Sequence, residues 1–486
     1  MTPLLSPAID IAAGLRAGKF SSRELVEAYA ARMDGIGRSL NAVVVRRIEA
    51  ALAEASAADG LRAVGRSLGP LHGVPVTIKE SFDVAGLPST WGHPQRASHS
   101  AVRDAVTVSR LTRAGAIVMG KTNVPKDLAD WQSFNEVYGV THNPWDEQRS
   151  PGGSSGGAAA ALAAGLTALE LGSDIAGSIR VPASYCGVWG HKPTFGVVLT
   201  GGHAMVEGAA PVDLLVAGPL ARSAFDLEFA LDLIAGADAD EPGVAGWRLD
   251  LPAEPRTKAA EFRVAILDTD VNFPVDSSIR RALGNLGDAL AHEGASVDRA
   301  PDLPIGSREG YELFLTLLRG ATCTRLDETQ LAALSVKARG FDMADRSYDA
   351  IMHRALTQSH HAWLAAHEKR QALRRAWREF FERYDALICP VTTTPAFPLM
   401  TGVPKIQQFF DVDGAKRPAS DCYYWIGIPS LCYLPATSIP IGSSPAGLPL
   451  GAQIIGPELG DKRCIRLAQI IERAFCAFVP PPRFAG

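Results

Sequence analysis

Short apolar runs alternate with amphipathic stretches along this chain, and that alternation limits its fold more than any other feature. "GVPVTIK" (73–79), "AGAIVMGKT" (114–122), "FRVAILD" (262–268), "YDALICPVTTTPA" (384–396), "ATSIPIG" (436–442) and "GAQIIGP" (451–457) read as buried strands. Helical patterns lie between them. Ser21 and Glu24 form a capping box that opens a helix over 21–36, with Leu25, Tyr29 and Met33 on one face. "PVDLLVAGPLARSAFDLEFALDLIAG" (211–236) runs from a loop into a helix. Strands alternating with helices imply an α/β fold around a buried, mostly parallel or mixed sheet.

Residues 308–384 read as mainly helical, ending in a stripe of Leu373, Trp377, Phe381 and Tyr384 opposite Arg374, Arg375 and Glu382. Strands flank this section on both sides, so it reads as a helical insertion, from about 300 to 384, into a single domain spanning 1–486. The stretch 237–261, rich in Asp, Ala, Pro and Gly, reads as a surface connection.

With 486 residues, 47% of them hydrophobic, the chain can bury a large core without disulfides or a structural metal. Its formal charge of -4 offers no basic footprint for nucleic acid. The seven cysteines are scattered without a C-x-x-C pair, which fits reduced thiols and a cytoplasmic location. The histidines show no H-E-x-x-H, and His360 and His361 are adjacent, which suits no shared metal on a helix. The first residues lack the order of a signal peptide, and no window of 18 uninterrupted apolar residues occurs, so no membrane partner is expected.

Two short motifs are misleading. "GAIVMGKT" (115–122) satisfies the phosphate-loop pattern, but its variable residues are strand material and Pro125 undercuts the helix that should follow. A core strand ending in a turn is the better reading. "GGSSG" also satisfies the nucleophile-elbow pattern around Ser154 or Ser155, yet the polar "NPWDEQRSP" precedes it where an apolar strand is required.

A longer match is far more specific. Residues 152–194, "GGSSGGAAAALAAGLTALELGSDIAGSIRVPASYCGVWGHKPT", resemble the signature of the amidase-signature family. "LHGVPVTIKESFDVAG" (71–86), "GAIVMGKTNVP" (115–125), "YGVTHNPWD" (138–146), "GPLARS" (218–223) and "GLPLGAQIIGP" (447–457) carry the resemblance from about residue 20 to 475. Its core lies in about 20–236, and it is weakest between 237 and 380. The resemblance implies an amidase-signature fold, a central mixed β-sheet covered by helices on both faces. It also implies a Ser-Ser-Lys triad: Ser178 as nucleophile, Ser154 as the bridging serine preceded by a cis peptide bond, and Lys79 as base, with Ser155 in support.

The chemistry of these residue types agrees. A serine hydroxyl attacks only when a base removes its proton, and a lysine is a base only when neutral. Lowering its pKa from about 10.4 to near 7 costs roughly 4–5 kcal/mol, which burial can supply. Alone, Lys79 would read as a strand-end lysine paired with Glu80 or Asp83; the flanking match reverses that preference. The turn "SDIAGS" (173–178) should direct the N–H groups of Ile175, Ala176, Gly177 and Ser178 at an oxyanion, an effect of about 3–4 kcal/mol per donor. Asp174 and Arg180 should pair to hold it. Ala176 replaces a common glycine, Glu80 a usual aspartate, and Glu170 a usual small residue; Glu170 is either paired inside the protein or a contact to substrate.

The expected activity is hydrolysis of a small-molecule amide, with neither cofactor nor metal. A glutamine-hydrolysing subunit of a tRNA-dependent amidotransferase is the alternative, although the segment after "KPT" differs from the one expected for it. Segments 127–135, after 196 and 423–425 should line the substrate pocket, their aromatics hinting at an apolar or aryl acyl group. The substrate is open at this level, and so is the assembly, with a homodimer as the candidate.

Overall fold

A computed structural model describes residues 3–238 and 246–485. Fifteen strands occur among them. The first eight are β1 (Val43–Arg46), β2 (Pro75–Lys79), β3 (Ile117–Thr122), β4 (Phe134–Asn135), β5 (Gly139–Val140), β6 (Glu170–Asp174), β7 (Trp189–Lys192) and β8 (Val216–Ala221). The rest are β9 (Arg263–Ile266), β10 (Ser296–Asp298), β11 (Ala386–Pro390), β12 (Phe409–Val412), β13 (Ala415–Pro418), β14 (Ala436–Ser443) and β15 (Pro449–Ile455).

Eleven of these form one mixed sheet in the order β1-β3-β2-β6-β8-β7-β14-β15-β11-β9-β10. β2 runs parallel to both β3 and β6, β9 runs parallel to β10 and β11, and the other neighbours are antiparallel. The strands at its centre are buried on every residue, which is why they read as continuous apolar or small-residue runs rather than alternating ones. Helices flank the sheet.

The helix opened by Ser21 covers Ser22–Asp34 and carries the full capping box. Four helices fill the interval between β10 and β11: Ser307–Thr322, Glu328–Arg339, Tyr348–Leu356 and His360–Arg383. Leu373, Trp377 and Phe381 are buried as the stripe requires, while Tyr384 caps the helix end and is only partly buried. Because β9 to β11 and β14–β15 join the same sheet as β1 to β3 and β6 to β8, this helical section is inserted into one sheet.

Several elements depart from the sequence reading. The region 211–236 contains β8 before its helix (Ala224–Ile234), and β6 and β7 lie inside the signature motif, where the sequence pattern marks no strand. All three are short and carry glycine or charged residues, so neither alternation nor β-branched enrichment distinguishes them. Helices at Ala8–Arg16 and Ile48–Ala63 are likewise additions to the sequence reading. Of the expected connection 237–261, residues 239–245 lie outside the described residues, and 246–258 form no helix or strand. Residues 117–122 form β3, with the Lys121 amine buried against Pro88 O and Ser89 Oγ, so no phosphate loop forms there.

Two glycines bring the serine loop into this frame. Gly152 has φ +84°, and a Cβ there would lie 2.5 Å from Pro182 Cα. A Cβ on Gly153 would lie 2.3 Å from Asp130 O. The peptide bond between Gly153 and Ser154 is cis, as the resemblance implied. From Ser155 the chain enters a fully buried helix, Gly156–Ala163, whose small side chains allow it to pack inside the molecule.

Candidate active site

Lys79 ends β2 with its side chain fully buried. Its Nζ donates to Ser154 Oγ at 2.6 Å and to Ser173 Oγ at 2.9 Å, with Ser173 O at 3.5 Å. Burial pushes the amine down to about 7, against the pull of Asp174 and Glu170 and with help from Arg325. Glu80 does not pair with it. That carboxylate instead accepts the N–H groups of Thr90 (2.6 Å) and Trp91 (2.9 Å) and the Tyr138 hydroxyl (3.0 Å).

Ser178 lies in the turn between β6 and the helix Arg180–Cys186, and 5% of its surface is exposed. The Ser155 N–H donates to Ser178 O at 3.1 Å, which ties the serine loop to this turn, and Ser155 Oγ donates to Ser173 O at 3.4 Å. Among the described residues no hydrogen bond joins the hydroxyls of Ser154 and Ser178. The structure thus brings Lys79 directly to Ser154 and carries Ser178 alongside through the backbone.

Asp174 and Arg180 form a buried ion pair in which Nε and Nη2 each reach the carboxylate at 3.0 Å. Burial alone would raise the Asp174 pKa, but Arg180 outweighs it and holds the carboxyl at about 2. The same guanidinium donates to Ile426 O (3.0 Å), Gln453 Oε1 (2.8 Å) and Ser430 Oγ (2.8 Å), so the donors Asp174 leaves are met far along the chain.

One expectation is corrected here. Gly177 does not offer its N–H to an oxyanion, because that group donates to Asp174 Oδ1 at 2.8 Å while Ile179 N–H takes Oδ2 at 3.1 Å. The carboxylate lies under the turn, where Gly177 at φ +85° directs its N–H inward. Ile175, Ala176 and Ser178 donate to no backbone carbonyl among the described residues, leaving three donors rather than four.

Glu170 is paired inside the protein, on Thr77. It is 2% exposed and accepts the Thr77 hydroxyl at 2.5 Å across the β2–β6 register, with its second oxygen buried and unpartnered. Burial raises its pKa to about 8. Of the segments expected to line the pocket, Trp131 reaches the turn, its Nε1 donating to Ala176 O at 3.0 Å, and Tyr423 packs on the Trp131 ring with centroids 4.8 Å apart. Tyr424 and Trp425 do not: Tyr424 stacks on Phe273 and Trp425 is fully buried.

Ser173, the second oxygen partner of Lys79, is not singled out by the sequence motif. Its position one residue before Asp174 at the end of β6 is a signal only once β6 is known to lie beside β2. Among the described residues no group of three or more His, Cys, Asp or Glu side chains could hold a metal ion, and no helix is long and apolar enough to cross a membrane.

A large mixed sheet with a buried lysine–serine pair at the end of one central strand defines a class, and comparison with known proteins names it. The amidase family pattern matches residues 24–465, and the chain belongs to that family of amide hydrolases, which act on carbon–nitrogen bonds. Among curated relatives, it is 33% identical to the indoleacetamide hydrolase of Bradyrhizobium diazoefficiens, over 96% of this chain and 86% of that protein. It is 32% identical to one component of the glutamyl-tRNA(Gln) amidotransferase of Chromohalobacter salexigens, over 98% of both chains. Among solved structures, 6-aminohexanoate cyclic dimer hydrolase complexed with substrate superposes with a TM-score of 0.80 at 25% identity, covering 100% of both chains.

Proposed function

We propose that this protein hydrolyses a carboxylic acid amide to the acid and ammonia or an amine, through a Ser178–Ser154–Lys79 triad and an acyl-serine intermediate. One observation carries the reading: the Lys79 amine, 2.6 Å from the Ser154 hydroxyl, is buried where its pKa falls to about 7. A neutral amine in that position accepts a proton from Ser154 as Ser154 takes one from Ser178. Catalytic hydrogen bonds tighten when substrate binds, which is when the two serine oxygens must meet.

Ser178 Oγ then attacks the amide carbon, and the N–H groups of Ile175, Ala176 and Ser178 receive the developing oxyanion. Collapse of the tetrahedral intermediate breaks the carbon–nitrogen bond, and the leaving amine recovers the proton from Lys79 through Ser154. Water activated by the same relay releases the acid and frees Ser178. None of these steps calls on a cofactor or metal.

The test is a screen of aliphatic, aryl and indole-bearing amides and glutamine, with Ser178→Ala as control. Turnover that persists in Ser178→Ala would overturn the mechanism. The likeness to an amidotransferase component supports the second reading, glutamine hydrolysis on behalf of a tRNA-bound partner. Co-purification of a stable second protein chain, with glutamine the best substrate, would favour it.

A further inference from the structure

Across one helix from the turn after β6 lies a cation that no carboxylate pairs with among the described residues. Arg319, on the helix Ser307–Thr322, donates through Nη2 to Tyr348 Oη at 2.5 Å and Tyr423 Oη at 3.1 Å. Its guanidinium carbon lies 5.9 and 5.6 Å from the centroids of those two rings. No carboxylate forms an ion pair with it among the described residues, and its Nε is buried without a hydrogen-bond partner. A guanidinium is charged at every physiological pH, and one held this way, without a counter-charge, is costly unless an anion visits. Both tyrosine hydroxyls accept from Arg319, and the Tyr348 hydroxyl also hydrogen-bonds that of Tyr423, so one phenolic proton of the pair is left to donate outward. Nε and one hydroxyl proton of the pair therefore remain donors without an acceptor among the described residues.

The set is connected to the reacting centre by packing. Tyr423 belongs to the helix Cys422–Leu431, and Ile426, three residues later on the same face, lies against the turn, where a Cβ on Gly177 would be 2.9 Å from Ile426 Cγ2. The Tyr423 ring meets Trp131, which bonds to Ala176 O. A second cation reaches the same place: Lys405 Nζ lies 3.4 Å from the centroid of the Trp131 ring, with Asp130 at 3.9 Å.

We propose that Arg319, with Tyr348 and Tyr423, binds a carboxylate carried by the substrate, so that the amides hydrolysed best are those bearing a second, ionised carboxyl group. This deepens the amide-hydrolase reading and rests on it. Arg319 selects and orients; it takes no part in bond breaking. The carboxylate belongs either to the acyl portion, as in the monoamide of a dicarboxylic acid, or to the departing amine, as in an N-acyl amino acid.

Matched substrates distinguish these sources and test the proposal. The purified full chain is assayed for kcat/KM with butanamide, with succinamate and with N-propionylglycine beside its neutral N-propyl analogue. One carboxylate-bearing substrate should exceed its neutral counterpart by about tenfold or more, the gain lying in KM, as a charge-assisted hydrogen-bonded contact provides. In Arg319→Met that ratio should fall to about one, and Arg319→Lys should restore part of it. Tyr423→Phe serves as a milder second variant should Arg319→Met fail to fold, and should lower the ratio without erasing it.

Direct binding keeps this separate from catalysis. Calorimetry of succinamate and N-propionylglycine on the Ser178→Ala protein should show binding of at least one of them that Arg319→Met weakens about tenfold. Equal kcat/KM for charged and neutral members, or binding indifferent to Arg319, would overturn the carboxylate site while leaving amide hydrolysis intact. Absence of any hydrolysis with binding preserved would overturn the mechanism and leave the carboxylate site standing.

Discussion

Lys79 is the residue on which the proposed chemistry turns, and its environment sets a pH dependence with a definite sign. The amine is a base only when unprotonated, so kcat/KM should rise with pH below about 7, close to tenfold per unit, and flatten above it. A rate that stays flat from pH 7 down to pH 5 would contradict the assignment. Lys79→Met should remove turnover by at least about 10³-fold, comparable to Ser178→Ala, because residues that act as a unit fail together. Single-turnover kinetics on both variants checks this. Lys79, Ser154 and Ser178 are legible from the motif, as is the Asp174–Arg180 pair. Ser173 and Arg319 are not, since each acquires its meaning from what lies across a strand register or a helix interface. Gly177 misleads because a motif shows which N–H groups are near, not which ones a carboxylate has already taken.

At the level of elements, the turn after β6 depends on the carboxylate beneath it. Asp174→Asn would leave a buried guanidinium without its counter-charge and weaken the acceptors for Gly177 and Ile179, with an expected loss of about 3–5 kcal/mol. Urea unfolding of the variant measures it. Gly152→Ala should destabilise by more than about 1 kcal/mol, because φ is +84° and the added methyl meets the Pro182 backbone. Its activity should drop further than its stability, since the loop it distorts carries Ser154. Long, strongly patterned elements such as the capped helix Ser22–Asp34 are readable from sequence. β6, β7 and β8 are hidden because burial on both faces removes the alternation that marks a strand.

For the whole molecule, we propose that the chain is a single cooperative unit, helical section included. Five buried cysteines sample it widely: Cys186 against Pro151 O before the serine loop, Cys389 on β11, Cys422 and Cys432 at the two ends of one helix, and Cys464 on the last long helix. Burial raises the pKa of each of these thiols. Thiol labelling across a denaturant series should find no more than Cys323 and Cys476 reactive in the native protein, with the other five appearing together at one midpoint. Cysteines that react in separate steps would divide the chain into independent units. The α/β class and the insertion can be anticipated because strand patterns recur on both sides of the helices. The order of the eleven strands cannot, because pairing partners far apart in the chain leave no local mark.

Arg180 reaches forward to Ile426, Ser430 and Gln453. The loop that holds Ser178 is therefore clamped by residues 246 to 273 positions further along the chain. A chain cut short before β15 holds every member of the proposed triad yet loses Gln453 from the clamp on their turn, so its hydrolysis should fall although no proposed catalytic residue is missing.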